Sequence, residues 1–436
     1  MRSWVARFVV CLCVSGCATS TRDRGWLRSE LDQRTGPSSC SSAPRLDDGL
    51  DDAEVIVLAL CRSPTLRAEL TRIDAARATL DEARRVANPQ LTLMGPLGPI
   101  TALASLLAPL ESLWQLPARS ESAARDADMT AEAVLMRALD LLRDARLLHV
   151  EWALAADRAA VRTELERVAT EVARLASVRL AAGDVSPLEE RVLFSDAVST
   201  TDARENAQRE VTMARARLVA ALALDALQSD ARPVFPTETS PLRPFDELVS
   251  LARASRPDAR AATFAIEAAA ARSGWERSRI VSLAALVETQ WSQPAGPALR
   301  LGGRLELPLF NQNQGGTGRA EAEVLRATAQ NEVTARAIVM EITLAHARLE
   351  QATRSRERFE REVLPALKSA LEQARNGFEA GDQPFFVVLD VLRRVGEARL
   401  RLAELIAEQR RARCELERSV GARLERVSAL SAGGGP

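Results

Sequence analysis

Cys17 is the residue whose surroundings indicate covalent chemistry. It ends a Val-Ser-Gly-Cys motif, which resembles a lipobox, the signal at which a cysteine is acylated and becomes the first residue of the mature chain. Arg2 and Arg7 precede an apolar run that is too short to span a bilayer as a helix, as in a signal peptide. We therefore predict a leader over residues 1–17 and lipidation at Cys17. An ordinary secretory leader with a chance cysteine is the alternative.

The two histidines, His149 and His346, are the other residues with chemical potential. Neither lies in a cluster of cysteines, histidines and carboxylates with ligand spacing, so the sequence predicts no metal site. They occupy matching positions in two halves of the chain, which favours a packing role. Because we also find no phosphate-binding glycine loop, nucleophile elbow or catalytic carboxylate pair, we predict no cofactor and no enzyme activity.

Composition narrows the class of protein further. The 58 basic and 59 acidic residues give a net charge of −1, which provides no field for binding nucleic acid. Residues 18–48 are rich in Ser, Arg, Asp and Pro, and we predict that they form a flexible tether. After the leader, Cys40, Cys61 and Cys414 remain; this odd number is not a disulfide framework, although one bridge can form in an oxidising periplasm.

The chain contains an internal repeat. A shift of about 195 positions pairs Gly183 with Gly381 and Pro64 with Pro257, and such a period indicates one plan used twice. We predict a first repeat over 49–230, a linker over 231–244, a second repeat over 245–425 and a flexible tail over 426–436.

Apolar spacing and turn residues predict long helices in both repeats. Many seam positions hold alanine, whose small side chain lets helices approach closely, and the spacing in the last helix is similar to that of a coiled coil. We therefore expect long antiparallel helices packed side by side. Their predicted ranges are 51–87, 119–180, 187–228, 245–280, 318–380 and 384–420.

The segment Pro297–Leu309 alternates strictly between two kinds of residue. Its leucines, such as Leu301, fall on one face, and the charged residues fall on the other face: Arg300, Arg304 and Glu306. Alternation over ten or more residues is typical of a transmembrane β-barrel strand with a wet lumen. A half-buried hairpin of a soluble protein has the same period and stays open as an alternative.

Three further segments complete the predicted strands. Residues 282–291 alternate more loosely, whereas 91–97 and 102–114 are apolar on both faces. Four strands cannot close a barrel, because about eight strands is the lower limit. If these strands span a membrane, several chains must share one barrel.

Three motifs resemble a known family. They are the pattern Ala59–Leu66 with Asn88-Pro89 after it, the junction Leu307–Gly315, and the segment Phe378–Asp390. With them, residues 50–421 resemble the outer membrane efflux proteins, the TolC-like outer membrane factors of tripartite pumps. The stretch Pro308–Gly315 is also similar to the branch of this family that exports metal cations.

The resemblance implies a fold, a function and partners. The fold is mainly α with a small transmembrane β-barrel contribution: a homotrimer in which each chain gives four strands to one barrel and long helices to one α-helical barrel. The function is a passive exit duct in the cell outer membrane, coupled through a periplasmic adaptor protein to an inner-membrane efflux pump. A lipid-anchored periplasmic coiled-coil scaffold without channel activity is the alternative.

The resemblance also assigns roles to residues. It implies a pore gate at Phe378 and Asp390, although Val387 stands where many members have a second acidic residue. It places the tips at which the adaptor docks at Gly183, Asp184, Gly381 and Asp382. From the helix ends alone, we expect left-handed glycines at the two tips and aspartates that cap the returning helices.

Overall fold

The computed structural model describes residues 22–37, 49–95, 100–225, 231–235, 243–292, 294–380 and 382–426. Helices account for most of these residues, and four antiparallel strands form one sheet among them. The predicted class, mainly α with four strands, is therefore confirmed. The predictions for Cys17, Cys40 and Gly381 lie outside the described residues.

The elements follow the same order in the two halves. The first half contains α1 (Arg24–Thr35), α2 (Asp52–Arg62), α3 (Pro64–Ala83), β1 (Gln90–Met94), β2 (Ile100–Pro109), α4 (Glu111–Ala182) and α5 (Pro187–Ala221). The second half contains α6 (Phe245–Ser255), α7 (Pro257–Ser278), β3 (Ser282–Ser292), β4 (Gly296–Glu306), α8 (Gln314–Arg358), α9 (Leu364–Glu379) and α10 (Phe385–Val420). From α2 onward, each half runs through two helices, two strands and a long helical hairpin.

Proline divides the first helical segment of each half. Ser63 and Arg256, the residues before Pro64 and Pro257, have ψ angles of 119° and 131°. A residue before proline is forced out of the helical region by the proline ring, so one helix ends there. The proline itself then occupies the first turn of the next helix, where its missing N–H costs nothing.

The outgoing helix of the second half is not continuous, in contrast to the prediction for 318–380. A π-helical turn over Phe359–Val363 separates α8 from α9. Pro365 follows this turn directly; it lacks an N–H donor and its ring clashes with the carbonyl four residues earlier. The wider turn accommodates the proline.

The chain forms two compact units, and the first holds the sheet. This unit comprises Met1–Glu30, Ala68–Met136 and Arg253–Ala337. The side chain of Arg119 in α4 donates hydrogen bonds to the carbonyls of Ala83 (2.9 Å) and Arg85 (2.6 Å), which satisfies the last turn of α3. Small buried residues line the helix contacts, among them Ala124, Ala127, Ala131, Ala268 and Ala320.

The predicted tether is wrong for residues 24–35, which form α1. Leu27 and Leu31 are spaced by four and are only 2 % and 4 % exposed, so the helix buries an apolar stripe. The carboxylate of Asp23 accepts a hydrogen bond from the N–H of Trp26 at 2.8 Å, and this bond lowers the pKa of Asp23. The polar composition of the segment concealed this short periodic stretch.

The second unit contains a buried ionic cluster. It comprises Leu31–Arg67, Arg137–Ala252 and Ile338–Pro436. The guanidinium of Arg146 in α4 contacts the carboxylates of Asp52 (2.7 Å) and Glu417 (2.5 Å), and all three side chains are almost fully buried. Although burial opposes it, the charge of Arg146 lowers the pKa of Asp52. The cluster ties the start of α2 and the end of α10 to the middle of α4.

The cysteines differ in state. Cys61 is disulfide-bonded, whereas Cys414 is a free, buried thiol. Burial raises the pKa of Cys414 to about 12, so this thiol stays neutral and unreactive at ordinary pH.

Candidate functional site

The strands form a sheet in the order β1-β2-β3-β4, and its register sorts the side chains onto two faces. One row across all four strands consists of Leu91, Leu106, Val287 and Leu301, which lie directly opposite one another. These side chains are 63 %, 40 %, 37 % and 78 % exposed in the single chain. An apolar face open over four strands is what a bilayer or another protein surface would cover.

The adjacent row has the opposite character. It consists of Thr92, Ser105, Glu288 and Arg300, each directly opposite the next, and Arg300 lies 3.7 Å from the carboxylate of Glu288. In the first strand pair this face is mixed: Thr92 and Ser105 lie on it, but so do Met94, Leu103 and Leu107, so the pair is largely apolar on both faces, as its sequence predicts. Apolar and polar residues alternate most clearly in β4, as in a strand with one lipid face and one wet face.

The predicted lumen residues share this polar face. Arg304 lies opposite Ala284, and Glu306 lies opposite Ser282, four and six residues after Arg300 along β4. All three side chains are exposed. The face therefore carries the ion pair of Arg300 and Glu288 at one level and single charges two and three levels further along β4, with the uncharged Gly302 between them.

The strand predicted over 102–114 is shorter than expected. It ends at Pro109, and α4 begins at Glu111, so Trp114 belongs to the helix. The indole N–H of Trp114 lies 3.3 Å from the carbonyl of Ser278 at the end of α7. In the sequence, Pro109 was the available signal for the end of this strand.

Asn313 shapes the junction between β4 and α8. Its φ is +59°, a left-handed conformation that asparagine tolerates better than most residues. Its side-chain amide donates to both the carbonyl and the carboxylate of Glu276, each at 2.8 Å. Partial burial opposes the effect, but hydrogen bonds from Asn313 and Arg279 lower the pKa of Glu276. The sequence motif indicated the junction, but not its partner in α7.

The first tip is a left-handed turn, as predicted. Gly183 has a φ of +85°, its N–H donates to Leu180 (3.0 Å), and the N–H of Asp184 donates to Arg179 (2.9 Å). These two bonds form a Schellman motif, which satisfies carbonyls at the end of α4.

Asp184 does not cap the returning helix, contrary to expectation. Ser186 does so: its hydroxyl accepts from the N–H of Glu189, whose carboxylate accepts from the N–H of Ser186 at 2.9 Å. This reciprocal capping box follows from the Ser-x-x-Glu spacing, which outweighs an aspartate two residues earlier.

The second tip is built differently. The N–H groups of Asp382 and Gln383 both point at the carbonyl of Gly377, at 2.8 and 3.1 Å. The residue before α10 is Pro384, and no side chain caps this helix. The expected cap by Asp382 is therefore wrong as well, because the proline fixes the entry of the chain into α10.

The two residues assigned to the gate lie near the second tip. The rings of Phe378 and Phe385 have centroids 5.2 Å apart and are tilted by 51°. Asp390 is paired on its own helix: its carboxylate lies 2.7 Å from Arg394 and 3.5 Å from Arg393. Neighbours one turn away on the same helix therefore supply basic partners for this carboxylate.

No described helix is both long and apolar enough to cross a membrane. The described residues also contain no group of three or more His, Cys, Asp and Glu side chains that could hold a metal ion. His346 instead packs edge-on against Phe245, with ring centroids 5.9 Å apart.

Comparison with known proteins extends these observations. No protein-family model matches the chain. It is 28 % identical over 407 residues to the cobalt-zinc-cadmium resistance protein CzcC of Cupriavidus metallidurans, and the match covers 89 % of this chain and 94 % of that protein.

The fold is similar to those of solved channel proteins. The structure of CusC, a protein that forms a transmembrane channel, matches with a TM-score of 0.72 and 20 % identity over 89 % of this chain and 97 % of that chain. The open state of the MtrE outer membrane channel of Neisseria gonorrhoeae matches with a TM-score of 0.70 and 18 % identity over 86 % and 89 % of the two chains. The resemblance indicated by the sequence motifs is thereby confirmed: in fold, and in sequence along nearly its whole length, this chain is similar to the TolC-like outer membrane efflux proteins.

Proposed function

We propose that three copies of this chain form the outer-membrane channel of a tripartite efflux system. The channel is a passive exit duct, and an inner-membrane pump delivers cargo to it through a periplasmic adaptor. The observation that carries this proposal is the apolar row that is exposed across all four strands, with charged residues on the opposite face of β3 and β4. In a soluble scaffold, this row of apolar side chains across four strands would stay exposed to water.

The open edges of the sheet support a shared barrel. β1 and β4 are edge strands in the single chain. Unpaired strand edges cannot remain in a bilayer, because their N–H and C=O groups would lack partners. Three chains would bring twelve strands, enough to close a barrel by the limit of about eight.

The assignments to individual residues are part of the same proposal. Acylation at Cys17 would anchor the chain in outer-membrane lipid. The turns at Gly183 and Gly381, with Asp184 and Asp382 beside them, would meet the adaptor. Phe378 and Asp390 would line the gate, and Arg300, Arg304 and Glu306 would face the lumen.

For cargo we propose divalent metal cations. Two observations support this class: the similarity to a cobalt-zinc-cadmium resistance protein and the junction at Pro308–Gly315. Growth of a channel-deficient host on zinc, cobalt and cadmium, with and without this chain and its pump, tests the cargo. Rescue on an organic drug but not on metals would contradict it.

The channel itself is tested independently of cargo. We expect the detergent-extracted protein to run as a heat-modifiable trimer and to open a conductance in a planar bilayer. Arg304→Ser should preserve the trimer but shift the ratio of anion to cation permeability, because the exposed arginine on the polar face is removed. A monomer that releases from membranes in carbonate and gives no conductance would favour the lipid-anchored scaffold instead.

The anchor has its own test. Cys17→Ser should abolish labelling with a palmitate analogue, while the strands keep the protein in the carbonate-resistant fraction. Full release of this variant into the periplasm would show that the strands do not insert.

A further inference from the structure

His149 occupies an unusual position in the second unit. Its side chain is 0 % exposed, and Nε2 lies 2.9 Å from the carbonyl of Leu50, just before α2. A carbonyl accepts, so Nε2 carries the proton in the neutral ring. Nδ1 is buried and has no hydrogen-bond partner among the described residues.

The ring also holds the segment that leads into the second half of the chain. Phe235 stacks on His149, with centroids 4.4 Å apart and planes inclined by 17°. The guanidinium of Arg410 in α10 lies 3.8 Å from the centroid of Phe235. Through the stacked ring of Phe235, His149 thus holds the segment 231–235 in place.

Backbone hydrogen bonds complete the same joint. The N–H of Leu50 donates to Arg232, and the N–H of Val234 donates to Leu50, both at 2.9 Å. The carbonyl of Leu50 therefore serves two donors, Val234 and His149. Loss of the histidine bond would act directly on this bridge.

We propose that His149 is an acid-sensitive latch, which fastens the segment 231–235 to the start of α2 when its ring is neutral and releases it when the ring is protonated. Protonation adds a donor at Nδ1, where no described residue accepts, and places a charge on a ring that is stacked and buried. Because a buried ion without a partner is strongly unfavourable, protonation shifts the equilibrium toward the open arrangement.

The charges around the ring decide the direction of this effect. Burial lowers the pKa of His149 to about 4, and Arg410 acts in the same direction against the opposing influence of Asp52 and of the bond to Leu50. Asp52 is engaged by Arg146, which limits its help to a protonated ring. The charged groups that act on the ring are Asp51 and Asp52, before and in α2, and Arg410 in α10.

The sign follows from proton uptake. The open state, with a histidine near its ordinary pKa of about 6.5, binds a proton before the closed state does. Closure is therefore fully favoured above pH 6.5 and weakens as the pH falls toward 4. With these two pKa values, lowering the pH from 7.5 to 5 shifts the equilibrium toward opening roughly 25-fold.

Hydrogen exchange of the full-length protein in detergent tests the latch. After correction for the intrinsic pH dependence, we expect the amides of Leu50 and Val234 to exchange roughly 25-fold faster at pH 5 than at pH 7.5. The amide of Asp184, in the first tip turn, should show no such excess. Absence of the excess at Leu50 and Val234 would overturn the proposal.

Two variants identify the group responsible. His149→Gln keeps a donor for Leu50 but cannot be protonated, so the excess should disappear; His346→Gln, the matched control, should retain it. Retention in the first variant, or loss in the second, would overturn the proposal. If His149→Gln does not fold, the single remaining histidine of His346→Gln can be titrated by NMR, and a pKa at or above 6.5 in the folded protein would overturn it equally.

Discussion

The two halves of the chain share an element order but not the interactions that hold it. The first hairpin turn closes with a Schellman motif and a Ser186–Glu189 capping box, whereas the second enters α10 through Pro384 with no side-chain cap. At the position three residues before each histidine, the first half has the buried Arg146 and the second has the exposed Thr343. An architecture can therefore be repeated while each copy is stabilised by different local means.

Substitutions at Arg146 and Thr343 are expected to show the largest difference between the halves in the free energy of unfolding. Arg146→Met should lower the free energy of unfolding by up to about 3–5 kcal/mol, because it removes the buried charge that Asp52 and Glu417 share and leaves them only the more distant Arg423 (3.7 Å) and Arg413 (3.3 Å). Thr343→Ala should change it by no more than about 0.5 kcal/mol, as an exposed substitution does. Denaturant unfolding in detergent measures both, and equal effects would mean that the buried cluster contributes nothing specific.

The next largest effect concerns the strands. Leu301→Arg places a charge on the apolar face, where it costs roughly 2–4 kcal/mol at the bilayer midplane, and should reduce the yield of trimer. Leu91→Arg lies in the same row of the shorter strand β1 and should reduce the yield equally if the first pair spans the membrane too.

Arg304→Ser, on the opposite face, is the control and should assemble normally. Equal tolerance of Leu301→Arg and Arg304→Ser would contradict the assignment of the faces. Tolerance of Leu91→Arg alone would restrict the spanning strands to the second half and sharpen the contrast between the halves.

The strands also show what the sequence could predict. The alternation in 297–309 predicted a strand within a few residues of β4, because a period of two is a local property. In the first pair, apolar residues lie on both faces and leave little alternation to detect, and only pairing with β3 shows that Thr92 and Ser105 share a face with Glu288.

Other features had either a local signal that was missed or no local signal. The Ser-x-x-Glu spacing at Ser186 and the arginines three and four residues after Asp390 were both visible in the sequence. The contact of Arg146 with Glu417 joins residues 271 positions apart, and no local pattern encodes it. The repeat and the helices follow from periodicity, whereas the buried polar contacts follow only from packing.

A smaller effect is expected at the first tip. Gly183→Ala should destabilise the turn by about 1 kcal/mol, because a Cβ is disfavoured at positive φ. Ser186→Ala should cost a similar amount, about 0.5–2 kcal/mol, through loss of the cap. Hydrogen exchange of the Asp184 and Glu189 amides measures the two changes. Unaltered exchange in both variants would show that contacts outside the turn stabilise it.

The smallest effect on stability is expected at the second tip. Asp390→Asn removes an exposed ion pair on one helix, worth about 0.3–0.5 kcal/mol. If Asp390 lines the gate, the same change should weaken block of the channel by divalent cations from the periplasmic side. Glu397→Gln, two turns further along α10, is the matched control; identical block in wild type and Asp390→Asn would remove this residue from the gate.

The edges of the sheet have a consequence for the life of the newly made chain. Before it meets its partners, each copy carries two unpaired strand edges beside a row of exposed leucines, a combination that promotes aggregation. If the chain assembles as proposed, we expect the lone subunit to need a holdase chaperone before it reaches the membrane, and we expect the yield of this protein to depend on that chaperone more than on the stability of its helices.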